Sequence, residues 1–287
     1  MILRRLAILC MIGALFFVAL VAWMFMQARA MPVIRTAEVT LPFPADAPRV
    51  PIRVAWVTDT HLSGPDNSPE RLDRVVDLVN AQHPDLILLG GDYVGQEKLF
   101  EIEYPDAAAV KPFRRLHAPM GVVAVLGNHD MSWATRDTSA AIRDGFRAAG
   151  IPLLVNQAIR RGPLVIGGIP DLFKGLADVP VTQAAMRRLG GAPVLLSHTA
   201  DAMTQLGGWH GLVLAGHSHC GQIALPLVGP LYVPAYTGLR YACGRYAEDG
   251  KTLIVSGGVG TSGLPLRLMA PPDIWMITIR PAPGNGG

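Results

Sequence analysis

The stretch Ala215-Gly216-His217-Ser218-His219-Cys220-Gly221-Gln222 decides the reading of this chain. It follows Leu212-Val213-Leu214, an apolar run of strand type, and Gly216 marks where the strand gives way to a loop. Two imidazoles, two residues apart, therefore leave a strand end together. Neutral imidazole suits zinc, iron and manganese-like ions, so H-x-H among small neighbours is a chelate pattern. On its own the pattern also fits two polar loop histidines.

Outward from this stretch the arrangement recurs. Ile52–Val57 reads as a strand ending in Thr58-Asp59-Thr60-His61, and an extended chain would turn Asp59 and His61 to one face. Asp85–Leu89 ends in Gly90-Gly91-Asp92, where glycine permits close backbone approach. Val122–Leu126 ends in Gly127-Asn128-His129-Asp130, and Val194–Leu196 ends in Ser197-His198. Five apolar strands thus deliver Asp-x-His, Gly-Asp, Asn-His, His and His-x-His at their C-terminal ends. In open α/β sheets that edge is where sites form. Core packing does not account for the series, because unpaired polar groups rarely cluster at buried strand ends.

Between these strands the spacing predicts helices. Glu70–Gln82 puts Leu72, Val75, Val76 and Val79 on one face after a Ser68-Pro69 start, and Ser139–Ala149 and Val181–Leu189 follow. Ile151–Val155 and Leu164–Ile166 read as antiparallel strands about a turn at Arg161-Gly162, so the sheet is expected to be mixed. His83, His117 and His210 each precede a turn signal and read as ordinary loop residues.

Half of the 287 residues are hydrophobic and 16% are charged, which excludes global disorder and allows a substantial core. The net charge of +3 is too small and dispersed to argue for a nucleic acid polymer as partner. Residues 1–30 stand apart. A basic start at Arg4-Arg5 precedes an uncharged run, Leu6 to Met26. At about 1.5 Å per residue that run matches the roughly 30 Å of a bilayer's hydrocarbon core. It reads as an uncleaved membrane anchor, with a cleaved signal peptide as the alternative because Ala28-Arg29-Ala30 has the A-x-A form. Twin-arginine export is a third route. The flanking charges place the following domain outside the cytoplasm. Residues 31–50 carry Pro32, Pro42, Pro44 and Pro48 and read as a stiff tether, leaving a globular domain over 51–281. Cys220 and Cys243 are able to pair outside the cytoplasm, but two separate buried thiols is the simpler expectation.

With these motifs in this order, residues from about Arg53 to Arg280 resemble the calcineurin-like metallophosphoesterases. Val255-Ser256-Gly257-Gly258-Val259-Gly260 and Leu264-Pro265-Leu266-Arg267 resemble a membrane-associated bacterial subgroup, some of whose members hydrolyse UDP-2,3-diacylglucosamine. Cys220 departs from the glycine more usual there. The resemblance implies an α/β fold, a four-layer αββα sandwich of two mixed β-sheets, here preceded by one transmembrane helix. It also implies a centre of two divalent ions of the manganese, iron or zinc kind. By resemblance, Asp59, His61 and His219 hold one ion, and Asn128, His198 and His217 hold the other. Asp92 bridges, with one carboxylate oxygen for each ion, and His129 approaches the leaving-group oxygen as general acid. Asp130 either orients His129 or is a solvated turn residue.

The expected activity is hydrolysis of a phosphoester, on a lipid-linked or nucleotide-linked substrate, at the bacterial inner membrane. Ile223–Pro234 is either an apolar wall at the site or a buried strand and turn, and Arg240, Tyr241 and Tyr93 are either substrate contacts or structural. Two other readings compete. A metal amidohydrolase would carry H-x-H on its first strand, whereas here that strand carries Asp-x-His. A metal-stabilised binding protein without catalysis would be expected to lack a ligand or His129, and none is missing.

Overall fold

Strand alternation sorts the core into layers. In the computed structural model, which describes residues 2–96, 98–131 and 139–283, the helix α1 (Ile2–Arg29) comes first, and Met1 lies outside the described residues. It is long and apolar enough to cross a membrane. β1 (Val33–Leu41), β2 (Ile52–Val57), α2 (Pro69–Asn80), β3 (Leu86–Leu89), α3 (Asp106–Val110), β4 (Val122–Ala124) and α4 (Ser139–Ala149) follow. The second half runs β5 (Gln157–Arg161), β6 (Leu164–Ile169), α5 (Val179–Leu189), β7 (Ala192–Ser197) and β8 (Gly211–Ala215). It closes with β9 (Ala224–Leu225), β10 (Gly229–Pro230), β11 (Gly244–Glu248), β12 (Lys251–Val255) and β13 (Asp273–Pro281).

Two mixed sheets form, in the orders β1-β13-β2-β3-β4 and β11-β12-β8-β7-β6-β5. On β2, Val54 and Trp56 enter the core between the sheets, while Ala55 and Val57 face α2 and α4. On the second sheet Leu212 and Leu214 point inward to the same core, and Val213 and Ala215 point to the outer cluster that includes Met186 of α5. Apolar layers on both faces of both sheets give the expected four-layer sandwich. Its two sheets exclude a single (β/α)₈ barrel.

The predicted helices match closely. α2 starts at Ser68, whose hydroxyl accepts a hydrogen bond from Arg71 N, and buries Leu72, Val75, Val76 and Val79 as expected. Two segments differ. Val33–Leu41, expected to be tether, is β1, paired in parallel with β13 from Val33↔Asp273 to Leu41↔Pro281. The flanking prolines stiffen an extended chain, and the sheet uses that extension. Ile151–Val155 forms no strand: Pro152 has no N–H to give, and the segment makes one bridge, Ala124↔Leu153. The strand antiparallel to β6 is instead β5, across the predicted turn.

The end of α1 is fastened to the domain. The buried Arg71 guanidinium donates to the carbonyls of Arg29, Ala30 and Val259 and to Asn67 Oδ1 at 2.6–3.1 Å.

Candidate metal centre

β2, β3 and β4 run parallel in one sheet, and β6, β7, β8 and β12 in the other, so their C-terminal ends meet along one edge. There the backbone bends sharply. Asp59, His61, Asp92, His217 and His219 all have positive φ, between 39° and 67°. Asp59 and His61 therefore converge through a turn, not through strand alternation. Such conformations cost about 1–3 kcal/mol each and persist where neighbours over-determine them. Here loop binds loop: Asp59 N donates to Gly91 O, His61 N to Asp92 O and Gly216 N to His198 O, each at 2.9 Å, and Gly260 N to Asp59 O at 2.7 Å. Gly216 has no room for a side chain, since a Cβ would lie 2.5 Å from Thr58 Oγ1 and closer still to Asp59 Oδ2.

The seven predicted ligands form two clusters. In the first, His61 Nε2 lies 3.1 Å from His219 Nε2 and 3.4 Å from Asp92 Oδ2. Asp59 Oδ1 is 3.9 and 3.7 Å from those two nitrogens. In the second, His198 Nε2 lies 3.0 Å from Asn128 Oδ1, 3.1 Å from Asp92 Oδ2 and 3.2 Å from His217 Nδ1. Donors about 2.1 Å from a common ion sit roughly 3.0–3.4 Å apart at adjacent coordination positions. Most of these separations fall in that range. Asp92 Oδ2 belongs to both clusters, while Asp92 Oδ1 accepts a hydrogen bond from His129 N at 2.8 Å. One oxygen therefore faces both sides, and the expectation of one oxygen for each ion is corrected.

Outer contacts fix which nitrogen points inward. His198 Nδ1 lies 2.9 Å from Gly90 O, and His217 Nε2 lies 2.7 Å from Pro234 O. A carbonyl only accepts, so these nitrogens carry protons, and His198 Nε2 and His217 Nδ1 are the nitrogens turned toward the cluster. Burial holds His61 and His219 well below the usual imidazole range and brings His217 down to about 4, so all three are neutral donors at pH 7. Burial raises Asp59 to about 7. Burial also opposes ionised Asp92, but His198 and His129 outweigh it and hold Asp92 well below the carboxylate range. Burial would likewise lower His198, yet Asp92 holds it well above. Neither Asp59 nor Asp92 pairs with a Lys or Arg among the described residues. Two buried carboxylates beside the neutral imidazoles of His61, His217 and His219 suit a divalent cation.

His129 stands beside the first cluster, its ring 4.9 Å from that of His61 and edge-on to it. Asp130 does neither of the jobs expected of it. It is buried, and its carboxylate accepts hydrogen bonds from Asp92 N, Tyr93 N and Gly127 N at 2.7–2.9 Å, tying the Asp92 loop to the Asn128 loop. Tyr93 is structural, donating its hydroxyl to Val125 O, and Arg240 and Tyr241 engage Glu248. Sequence reasoning missed three contributors. Arg267 is fully buried beside His219 and donates to Gly257 O and Ala270 O. Phe173 packs against His217 with ring centroids 5.1 Å apart. Asp171 is buried nearby, with Oδ1 lacking a hydrogen-bond partner among the described residues. A buried charge in a Leu-Pro-Leu-Arg run was the one available signal. Cys220 and Cys243, expected as separate thiols, form a disulfide with Cα atoms 4.8 Å apart, because β11 returns beside the ligand loop. Their sulfurs are thereby unavailable as ligands.

Residues 52–221 match the family model for calcineurin-like phosphoesterase. The chain belongs to that family. This phosphoesterase is also 32% identical over 239 residues to the phosphodiesterase YaeI of Escherichia coli, covering 80% of this chain and 82% of that one. It is 29% identical over 240 residues to the metallophosphoesterase YkuE of Bacillus subtilis, covering 79% of each. A transmembrane protein with metallophosphoesterase domain from Danio rerio is 26% identical over 248 residues, covering 80% of this chain and 54% of the relative. The phosphoesterase is therefore a hydrolase of phosphoesters whose Asp and His clusters fit divalent metal binding.

Proposed function

We propose that this phosphoesterase works with a dinuclear centre. Asp59, His61 and His219 would hold one ion, Asn128, His198 and His217 would hold the other, and Asp92 stands between the two sets. The observation that carries this reading is the position of Asp92 Oδ2, 3.4 Å from His61 Nε2 and 3.1 Å from His198 Nε2, within reach of both clusters. When bound, two divalent ions would neutralise charge on the phosphoryl oxygens and lower the pKa of the attacking water.

The residues supply the rest. The His129 backbone N–H and Asp130 hold Asp92 in place. The His198 and His217 rings are oriented by Gly90 O and Pro234 O. The His129 side chain, beside the first cluster, donates a proton to the departing ester oxygen as general acid. We read α1 as an anchor in the bacterial inner membrane with the domain outside the cytoplasm, which favours a lipid-linked phosphoester as substrate. Support comes from the apolar helix and its N-terminal arginines.

The test is elemental analysis of the detergent-purified full chain, paired with hydrolysis of aryl and alkyl phosphodiesters after reconstitution with manganese, iron or zinc. Asp92→Asn should lose most metal and nearly all activity. His129→Ala should keep both metals and lose rate chiefly on alkyl esters, whose leaving groups need a proton. A single metal per wild-type chain would overturn the dinuclear reading. Normal alkyl-ester rates in His129→Ala would overturn the acid role.

A further inference from the structure

The domain meets α1 at a telling level. Met24 is buried, and its carbonyl accepts a hydrogen bond from Arg267 N at 3.0 Å. The apolar run of α1 ends at Met26, so this contact lies about 3 Å inside the run's end at 1.5 Å rise per residue. A domain bonded to the helix at that depth has no room to stand clear of a bilayer the helix crosses.

The surface around this contact is apolar and exposed. Leu264 and Met269 flank Arg267 at 44% and 58% exposure. Ala224 N donates to Leu268 O, and Leu268 N to Gln222 O, at 2.9 and 2.8 Å, so the β9–β10 hairpin is fastened to the same segment. The hairpin presents Leu225 and, at its turn, Leu227 and Val228, with Leu227 wholly exposed. On the other flank, Leu99 N donates to Gly263 O at 2.8 Å, joining the chain neighbours of exposed Phe100 and Leu264. Exposed leucines scattered singly need no explanation, but a connected apolar rim does. Beneath the hairpin a cavity of about 520 Å³ runs between Met269 and the disulfide.

We infer that Phe100, Leu225, Leu227, Val228, Leu264 and Met269 form a collar seated in the interfacial layer of the bilayer crossed by α1. The occupant is the lipid surface itself. The inference rests on the reading of α1 as a membrane anchor. One loop joins collar to chemistry: Gln222, three residues after His219, accepts from Ser262 N and donates to Leu264 O at 3.0 Å. The collar therefore fixes the metal centre at the height of the lipid headgroups, where a phosphoester is reached without lifting its acyl chains into water. Burying one such leucine is worth about tenfold or more in an equilibrium constant.

The test uses the full chain with its disulfide intact and Cys10→Ala to remove the free exposed thiol. Leu227→Cys and Leu264→Cys, each labelled with a polarity-sensitive fluorophore, are reconstituted into vesicles of phosphatidylethanolamine and phosphatidylglycerol. Both labels should shift to the blue, resist quenching by aqueous iodide and be quenched by lipids brominated near the headgroup. Labels that remain in water on protein that floats with the vesicles would overturn the collar and leave the anchor standing. A chain that carbonate strips from the vesicles would overturn the anchor reading, and the collar with it. A label protected from iodide but not quenched by brominated lipid points to a protein partner on this face, which also overturns the proposal.

Discussion

Adding a single methyl group at Gly216 should disable the centre without touching a ligand. The Cβ of Gly216→Ala would lie 2.5 Å from Thr58 Oγ1 and nearer to Asp59 Oδ2, so the carboxylate must retreat by about 1 Å to restore an ordinary contact. Asp59 has little freedom to do so. Its N–H is bonded to Gly91 O, and its carbonyl accepts from Gly260 N. The retreat breaks the hydrogen bond that the carboxylate accepts from His217 N at 3.0 Å. A hydrogen bond to a charged group is worth about 1.5–3 kcal/mol. Loss of such outer contacts lowers metal affinity about 10–100-fold. Competition titration against a chelator, with elemental analysis after dialysis, should show metal binding weakened by that factor, while far-ultraviolet circular dichroism stays unchanged. A Gly216→Ala protein that holds metal at wild-type affinity and keeps its hydrolytic rate would refute the reasoning.

Two further changes probe the scaffold. Burial raises Asp171 from 3.8 to about 6. Between those values the folded chain keeps a proton that the unfolded chain releases, so stability falls as pH rises through that window. Asp171→Asn, assayed by urea unfolding of chelator-treated protein, should be more stable above pH 6 by up to roughly 3 kcal/mol and equal to wild type below about pH 4; a gap that ignores pH would refute this. The Cys220–Cys243 disulfide closes a loop with a sequence separation of 23 residues. Cys243→Ser should cost roughly 3 kcal/mol, and reductant should lower the unfolding midpoint of the wild type but not that of the variant.

The convergence of Asp59, His61, Asp92, Asn128, His198, His217 and His219 was legible because each follows the end of an apolar strand, and strand ends are a local property. What stayed hidden was non-local. Val33–Leu41 gives no sign of its partner, because β13 lies some 240 residues away along the chain (Val33 pairs with Asp273). Asp130 looked like a companion of His129 by adjacency, whereas its real partners are backbone N–H groups of Asp92 and Tyr93. The pairing of Cys220 with Cys243 depends on β11 returning beside the ligand loop, which no spacing rule reports. The role of Asp92 Oδ2 turned on one hydrogen bond from His129 N that occupies the other oxygen.

The place of β13 also bears on how the molecule is made. It lies between β1, with which it runs parallel, and β2, with which it runs antiparallel. The first strands to emerge in synthesis must therefore wait with a gap between them for the last strand described. Until then β1 has no partner in the sheet that carries Asp59, His61, Asp92 and Asn128, and Arg267 and Gly260, just upstream of β13, have not closed over the first cluster. Vectorial synthesis thus cannot complete this half of the protein piecemeal. Metal loading becomes a final event, taking place in whichever compartment receives the whole chain.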